Sequence, residues 1–512
     1  MPRAYHGRTP SLTQLTSAAN RIAKVNKDVS FPYDVAVSQD ATPFDYMFPE
    51  LQQPEMLLPD LVAGANGRRA IDIRRALLNL GATMGESEQY SPPDSLIPSA
   101  YTYFGQFLDH DITLETKSDG LANLSDPDLE PLPLETVRAD IRNGRSPEID
   151  LDNVYYRPAP RVYSKMVLGP VSPVGPGARP AGKDDHNDLP RRPRNPDDLQ
   201  EDRSAMIGDK RNDENLIVAQ LHVAFLRAHN AIVDIGNTFD DAQRLLRKHY
   251  QWIIIKDFLP RICDPGIVSE TLIHGNRFFL PARDNLFMPL EFSVAAYRFG
   301  HSMIRNQYHY NMNFRAAGLA DLFSLTAFSG RLREAATLPE NWIIQWENFI
   351  DAGANRARPI DTALSEELFD LRAFGGPAPI EVRLPVRNLL RGYLLRMPTG
   401  QAVADALGVT PMTAQEIEDI AASVSDEQLE AVLAGGFSAR TPLWYYILAE
   451  AAAEPSGRLG PVGSTIVAEV LIGLIRGGKD SILRERDWRP TLGKTPGRFE
   501  LRDLLSLAEV LN

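Results

Sequence analysis

Gly105-Gln106-Phe107-Leu108-Asp109-His110-Asp111-Ile112-Thr113 places an amide, two carboxylates and an imidazole within six consecutive positions, Gln106 to Asp111. On a helix of about 3.6 residues per turn, Gln106 and His110 share a face and Asp109 lies at its edge. Asp111 turns roughly a quarter-turn away from His110. One short helix can therefore present polar groups to two places at once. Phe107 and Leu108 in its middle argue against a merely solvated face.

Around this stretch the chain has 512 residues, 43% hydrophobic and 24% charged, an ordinary globular composition. The net charge of −13 argues against nucleic acid and anionic membranes as partners. No apolar run approaches the roughly 20 residues of a membrane span. The longest candidate, Ile466 to Ile475, contains Glu469 and reads as a buried helix. Residues 1–20 carry Arg3 and Arg8 but no apolar core of a signal peptide. The single cysteine, Cys263, excludes an internal disulfide framework and reads as buried. The expectation is a cytoplasmic protein, or one secreted without a classical signal peptide.

Periodicity predicts a mainly α fold with long irregular loops and little strand, despite a length that would allow several domains. Residues 1–65 read as an N-terminal arm wrapping the core, with a short helix near Leu12 to Val25. Residues 66–512 read as one large domain. Residues 66–85 look helical, and residues 155–205, rich in Pro, Gly, Arg and Asp, look like a long loop shaping access to a site. The clearest helix carries Ile217, Leu221, Ala224, Phe225, Ala228 and Ile232. A second is expected over about 289–305, with Leu290, Val294, Tyr297, His301 and Ile304 in one stripe. Further helical patterns lie near 242–258, 362–373, 413–420, 426–434, 442–453 and 463–476.

Two more segments carry chemistry. In Ile207-Gly208-Asp209-Lys210-Arg211-Asn212-Asp213-Glu214, Asn212 or Asp213 is placed to cap the following helix, with Arg211 and Glu214 three apart. Alone, that run reads as a cap with solvated charges. In Ala296-Tyr297-Arg298-Phe299-Gly300-His301-Ser302-Met303-Ile304, His301 sits on an apolar stripe, and alone reads as a satisfied core histidine. Gly300 beside it would let a flat group approach the backbone.

Together, and with Leu221-His222-Val223-Ala224-Phe225-Leu226-Arg227-Ala228-His229-Asn230 between them, these motifs follow one order: Gln-x-x-Asp-His-Asp, an acidic loop, Gly-Asp-x-Arg-x-x-Glu, Leu-His-x-x-Phe-Leu-Arg-x-His-Asn, then Tyr-Arg-Phe-Gly-His-Ser. From about residue 66 onward the chain resembles the animal-type haem peroxidases of the peroxidase–cyclooxygenase superfamily, particularly the bacterial members. The resemblance implies a haem b cofactor, probed by hydrogen peroxide and small anionic or aromatic donors, cycling through an oxoferryl intermediate. It makes His110 the distal acid–base catalyst, Arg211 the distal arginine and Gln106 the distal amide. It makes His301 the proximal iron ligand, oriented by Asn388, with Arg391 on a haem propionate; both lie in Arg387-Asn388-Leu389-Leu390-Arg391-Gly392. Asp109 and Glu214 match the carboxylates that form esters with haem methyl groups. Chloride-oxidising members follow that glutamate with a methionine; Asn215 stands here, which excludes a sulfonium link and argues for bromide, iodide, thiocyanate or phenols as donors. Asp111 resembles a calcium ligand, with Ser146, Asp150 and Asp152 giving side chains and Glu148 its carbonyl.

Two alternatives belong to other functional classes. A haem-dependent fatty-acid dioxygenase would carry a tyrosine three residues before the proximal histidine, where this chain has Arg298. A non-catalytic adhesion protein with a peroxidase-like domain would not need His110 and Arg211. His222 and His229, seven apart, read as structural residues at a helix surface, too far apart for a metal pair.

Overall fold

Among the described residues, apolar positions recurring every three or four residues close into helices, and strands are only two to four residues long. The computed structural model describes residues 42–58, 70–87, 89–116, 124, 126–156, 160–175, 185–198, 201–282, 285–327, 331–351, 353–369 and 383–511. The helix expected near Leu12 to Val25 lies outside the described residues. The mainly α expectation holds, and the elements that frame the site are α1 (Ala70–Thr83), α2 (Ala100–Ile112), α3 (Leu216–Asp234), α4 (Phe239–Ile253), α5 (Leu384–Leu394), α6 (Leu443–Ala453) and α7 (Pro461–Gly477).

α3 is the central helix, packed against α2 and α4. Its N-cap is Asn215, whose Oδ1 accepts from the Val218 N–H at 3.0 Å. This corrects the expected cap at Asn212 or Asp213. Those residues belong to a short 3₁₀ turn, Lys210–Asp213, that begins at Asp209. α3 is apolar almost all round, which is what full enclosure requires. With 19 residues and a mean hydropathy of 1.4 it is long and apolar enough to cross a membrane, contrary to the expectation that no segment was. Here 78% of that apolar stretch is buried inside the fold. Enclosure also overturns the surface reading of His222 and His229, both fully buried. They remain separate: His229 Nδ1 lies 2.9 Å from the Tyr155 hydroxyl, and its Nε2 lies 3.0 Å from the Ser164 carbonyl.

The regular helix expected over 289–305 is not what forms. Glu291–Ala295 winds as a π-helix and Ala296–His301 as a 3₁₀-helix, joined at Ala295 with φ −123° and ψ −73°. A wide turn followed by a tight one preserves an apolar stripe but changes where His301 points. Such departures from α geometry are frequent at functional sites. A small sheet ties this segment to the end of α2. Its strands β1 (Thr42–Asp45), β2 (Glu115–Thr116), β3 (Arg142–Asn143) and β4 (Met288–Pro289) run in the order β2-β3-β1-β4. β1 pairs antiparallel to β3 and parallel to β4. The buried Glu291 carboxylate accepts from the Met47 and Phe48 N–H groups at 2.8 and 3.1 Å.

The described parts of 155–205 are pinned rather than loose. A hairpin joins Arg161–Val162 to Lys165–Met166, and bridges join Gly169 to Asp188 and Arg191 to Ala205. Of the 362–373 pattern, the described portion forms only a 3₁₀ turn, Glu366–Phe369. Cys263 is fully buried, as expected.

Candidate active site

α2 and the Tyr297–Ile304 segment face each other across a cavity. Gln106 and Asp109 line it from α2, and Tyr297, Arg298, Gly300 and His301 from the other wall. A Cβ added at Gly300 would meet nothing within 4 Å, so the backbone there faces open space. His301 is buried, with Nδ1 2.8 Å from Asn388 Nδ2 on α5. Of the residues predicted for the two faces of a flat cofactor, Gln106 and Asp109 thus lie on one wall and His301 on the other.

His110 is fully buried and stands behind that wall. Its Nδ1 is 2.8 Å from Asn212 Oδ1. Its Nε2 is 3.9 Å from Glu214 Oε1. The same Glu214 oxygen accepts from Gln106 Nε2, while Gln106 Oε1 accepts from Asn215 Nδ2 at 3.1 Å. Burial pushes Glu214 up to about 8, against the opposing pull of Arg211. On the wall itself, Asp109 Oδ1 accepts from Thr113 Oγ1 at 2.9 Å.

Arg211 is held rigidly. Its Nε donates to Asp209 Oδ1 at 3.1 Å, and Nη2 donates to the carbonyls of His110 and Thr113 at 3.1 and 2.6 Å. Asp209 is gripped from the other side by Arg145, at 2.6 Å from Nη2. Burial alone would raise Asp209, but Arg211 and Arg145 outweigh it and hold the carboxyl far below the usual range. Arg211 Nη1 is buried with no hydrogen-bond partner among the described residues, a cationic N–H left for something else. Neither Arg211 nor His110 lines the cavity, which differs from the expectation that His110 and Gln106 face it together.

Arg391 also differs from expectation: its guanidinium pairs with the buried Glu115. Both line a second, smaller cavity with Thr113 and Ser293. Arg298 lines both cavities and donates from Nε to the Ser293 carbonyl at 2.8 Å. Sequence reading treated Arg298 only as the absence of a tyrosine. A buried arginine in an otherwise apolar stripe was the signal available for it. Asp209 has no assigned role in the sequence, although it stands in the quoted Gly-Asp-x-Arg motif, and Asn212 has only that of a helix cap.

Behind His110, Asp111 meets the acidic loop. Its carboxylate accepts from the Leu151 and Asn153 N–H groups at 3.2 and 3.3 Å, around a left-handed turn at Leu151 (φ 60°). Burial, then repulsion from Asp152, pushes Asp111 up to about 7. Burial, then Asp152 and Asp111, push Asp150 upward as well. Asp150 Oδ1 is buried without a hydrogen-bond partner among the described residues. The other expected ligands sit less closely. Ser146 Oγ accepts from the Glu148 N–H at 3.1 Å, and the Glu148 carboxylate accepts from the Lys479 N–H at 2.7 Å. Among the described residues no three His, Cys, Asp or Glu stand at closed metal-ligand spacing. The three aspartates are gathered, not arranged as a finished coordination shell.

Residues 178–479 match the sequence model of a family described as animal haem peroxidase. A stretch of 112 residues is 35% identical to a peroxidase-like protein of Margaritifera margaritifera, covering 19% of this chain and 14% of that protein. Another of 125 residues is 30% identical to the human probable oxidoreductase PXDNL, covering 22% of this chain and 8% of that one. The matched part is therefore a small fraction of either curated relative. Among solved structures, peroxidase A from Dictyostelium discoideum superposes with a TM-score of 0.58 at 16% identity, over 85% of this chain and 89% of that one. A fatty acid alpha-dioxygenase from Arabidopsis thaliana superposes with a TM-score of 0.53 at 12% identity, over 79% and 69%. At these identities the likeness is one of fold.

Proposed function

The chain belongs to the animal haem peroxidase family, and from that premise we propose that it is a peroxidase that reduces hydrogen peroxide and oxidises small donors. The observation that carries this reading is the pairing across one cavity of His301, backed by Asn388, with Gln106 and Asp109 of the helix that also carries His110. The open space at Gly300 suits a flat cofactor. Bound haem would supply the redox-active iron.

The protein's own residues divide the remaining work. His301 would hold iron through Nε2, which requires its proton on Nδ1 and an acceptor beside it. The Asn388 amide is the group in place; a half-turn about its last bond exchanges the nitrogen for the carbonyl oxygen at the same position. His110, with Nδ1 turned to a carbonyl oxygen, keeps Nε2 to take a proton from peroxide and return it to the departing oxygen. Arg211, fixed by Asp209, would offset negative charge as the O–O bond breaks. Gln106, clamped between Asn215 and Glu214, would hold water or a halide. Asn215 caps α3 where chloride-oxidising members carry methionine, which supports bromide, iodide, thiocyanate or phenols as donors.

Asp109 and Glu214 are proposed to form esters with haem methyl groups, each ester replacing one methyl C–H bond, with one hydrogen peroxide taking the two electrons and leaving as two waters. Acidified organic solvent is then expected to leave the haem on the protein, with the Asp109→Ala, Glu214→Ala double variant releasing it. Free extraction from the wild type would sink this assignment.

Asp111, Asp150 and Asp152 are proposed to bind calcium, with Ser146 and the Glu148 carbonyl completing the shell. The three carboxyls repel one another in a buried place, and a divalent cation relieves that. The sign follows from the raised Asp111. Its contribution to stability is complete below the ordinary carboxyl range and is lost as pH rises through about 7. Chelated protein is therefore expected to melt at lower temperature at pH 8 than at pH 5. Added calcium should raise Tm more at pH 8. Equal calcium shifts at both values would count against the site.

A fatty-acid dioxygenase is the second reading. Tyr297 lines the cavity, stacked on Phe292 with ring centroids 4.6 Å apart, and its buried hydroxyl has no hydrogen-bond partner among the described residues. It stands one residue from the position that reaction would use, which is Arg298.

A further inference from the structure

His110, Asn212 and His222 form a continuous buried array. His110 Nδ1 lies 2.8 Å from Asn212 Oδ1, and Asn212 Nδ2 lies 2.9 Å from His222 Nδ1. All three side chains are fully buried. Asn212 is held in the rigid 3₁₀ turn that also carries Arg211, while His222 comes from α3. The peroxidase reading uses the Asn212 carbonyl but gives His222 no role.

An amide is polar in two directions, and its ends are interchangeable by a half-turn. The array therefore has two self-consistent proton arrangements. In one, His222 Nδ1 accepts from the amide NH₂, so the carbonyl must face His110 and receive its Nδ1–H. In the other, every donor and acceptor is reversed, and His110 carries its proton on Nε2. Only the first leaves His110 Nε2 with a lone pair for a substrate proton. It also suits the protonated ring, because the carbonyl accepts from Nδ1–H in both charge states and nothing must turn during the reaction.

The placement of Asn212 Oδ1 toward His110 and Nδ2 toward His222 matches the first arrangement. His222 has no other hydrogen bond among the described residues: its Nε2 is buried without a partner. Its remaining close neighbour of note is the edge of Phe107, at 6.0 Å between centroids. A histidine kept only for packing would not need to spend its single polar contact on Asn212. Burial pushes His222 down to about 3, so the ring stays neutral and able to accept.

We infer that His222 is a positioning residue: by accepting from Asn212 it fixes the direction of that amide, and so sets His110 as the Nδ1–H tautomer with Nε2 as the proton acceptor. This rests on the peroxidase reading, in which His110 handles the peroxide proton.

The test uses holoprotein labelled with ¹⁵N at histidine only, in its diamagnetic ferrous carbonyl form, with His110→Gln and His222→Gln spectra assigning the signals. The wild type is expected to show His110 protonated at Nδ1 and bare at Nε2, with His222 protonated at Nε2. His222→Leu removes the acceptor. It should mix the His110 tautomers and slow the reaction with peroxide by about 10–100-fold. His222→Gln retains a side-chain acceptor and should recover both the tautomer and the rate. Asn212→Asp, nearly isosteric, offers two acceptor oxygens. It should move the His222 proton to Nδ1 and leave His110 protonated at Nδ1, a signature that packing alone does not give. Wild-type tautomer and rate in His222→Leu would overturn the inference, as would a wild-type His110 protonated at Nε2. Holoprotein with the expected tautomers that fails to react with peroxide would instead overturn the function and leave the array standing.

Discussion

His301→Ala protein is expected to emerge from purification without a normal Soret band. His301 is the imidazole on the cavity wall that faces Gln106 and Asp109, and among the lining residues it is the one histidine. Alanine removes the proposed axial ligand and also strips Asn388 of its 2.8 Å partner inside the core. A buried polar group left unsatisfied costs about 1–3 kcal/mol, so some loss of thermal stability accompanies the loss of cofactor. If Asp109 and Glu214 form their ester bonds, part of the haem stays attached with altered axial ligation, and the absorption spectrum separates that case from simple loss. Asn388→Leu should give a weaker version of the same effect. Unchanged spectra and turnover in His301→Ala would refute the assignment.

His110→Ala is expected to retain haem and lose the chemistry. General acid–base catalysis by a positioned side chain contributes about 10²–10⁴-fold, and here one residue is given both the removal and the return of the proton. The ring contacts Asn212 and stands 3.9 Å from Glu214, a proposed haem-bonding carboxylate that alanine at 110 leaves in place. Haem content and Tm should change little beside the fall in the rate of reaction with peroxide. The Arg211 guanidinium is also bound to the His110 carbonyl, which alanine keeps. A rate within threefold of wild type would remove His110 from the mechanism.

Much of this arrangement was legible in the sequence because its parts are local. The Gln106–Asp111 run forms one helix, and Arg211 precedes the strongest apolar helix of the chain. What escaped was set by winding and by long-range contact. An apolar stripe from Leu290 to Ile304 fits a regular helix, yet the chain winds wide over Glu291–Ala295 and tight over Ala296–His301. Spacing alone does not separate those. His222 was misplaced because one stripe of its helix was counted, whereas Val218, Val223 and Leu226 make the other faces apolar too. The helix start was shifted because Asn212, Asp213 and Asn215 are all capping types, and only the three-dimensional path selects Asn215. The Arg391–Glu115 pair joins residues 276 positions apart, which no local pattern predicts.

The most direct test of the peroxidase reading is rapid mixing of haem-loaded protein with one equivalent of hydrogen peroxide, followed by iodide, bromide, chloride, a phenol or linoleate. The account predicts a Soret band that shifts with peroxide and returns with iodide, bromide or the phenol, more slowly with chloride. Haem-loaded protein that leaves peroxide unreacted, or that turns over linoleate with dioxygen and none of the other donors, would contradict it.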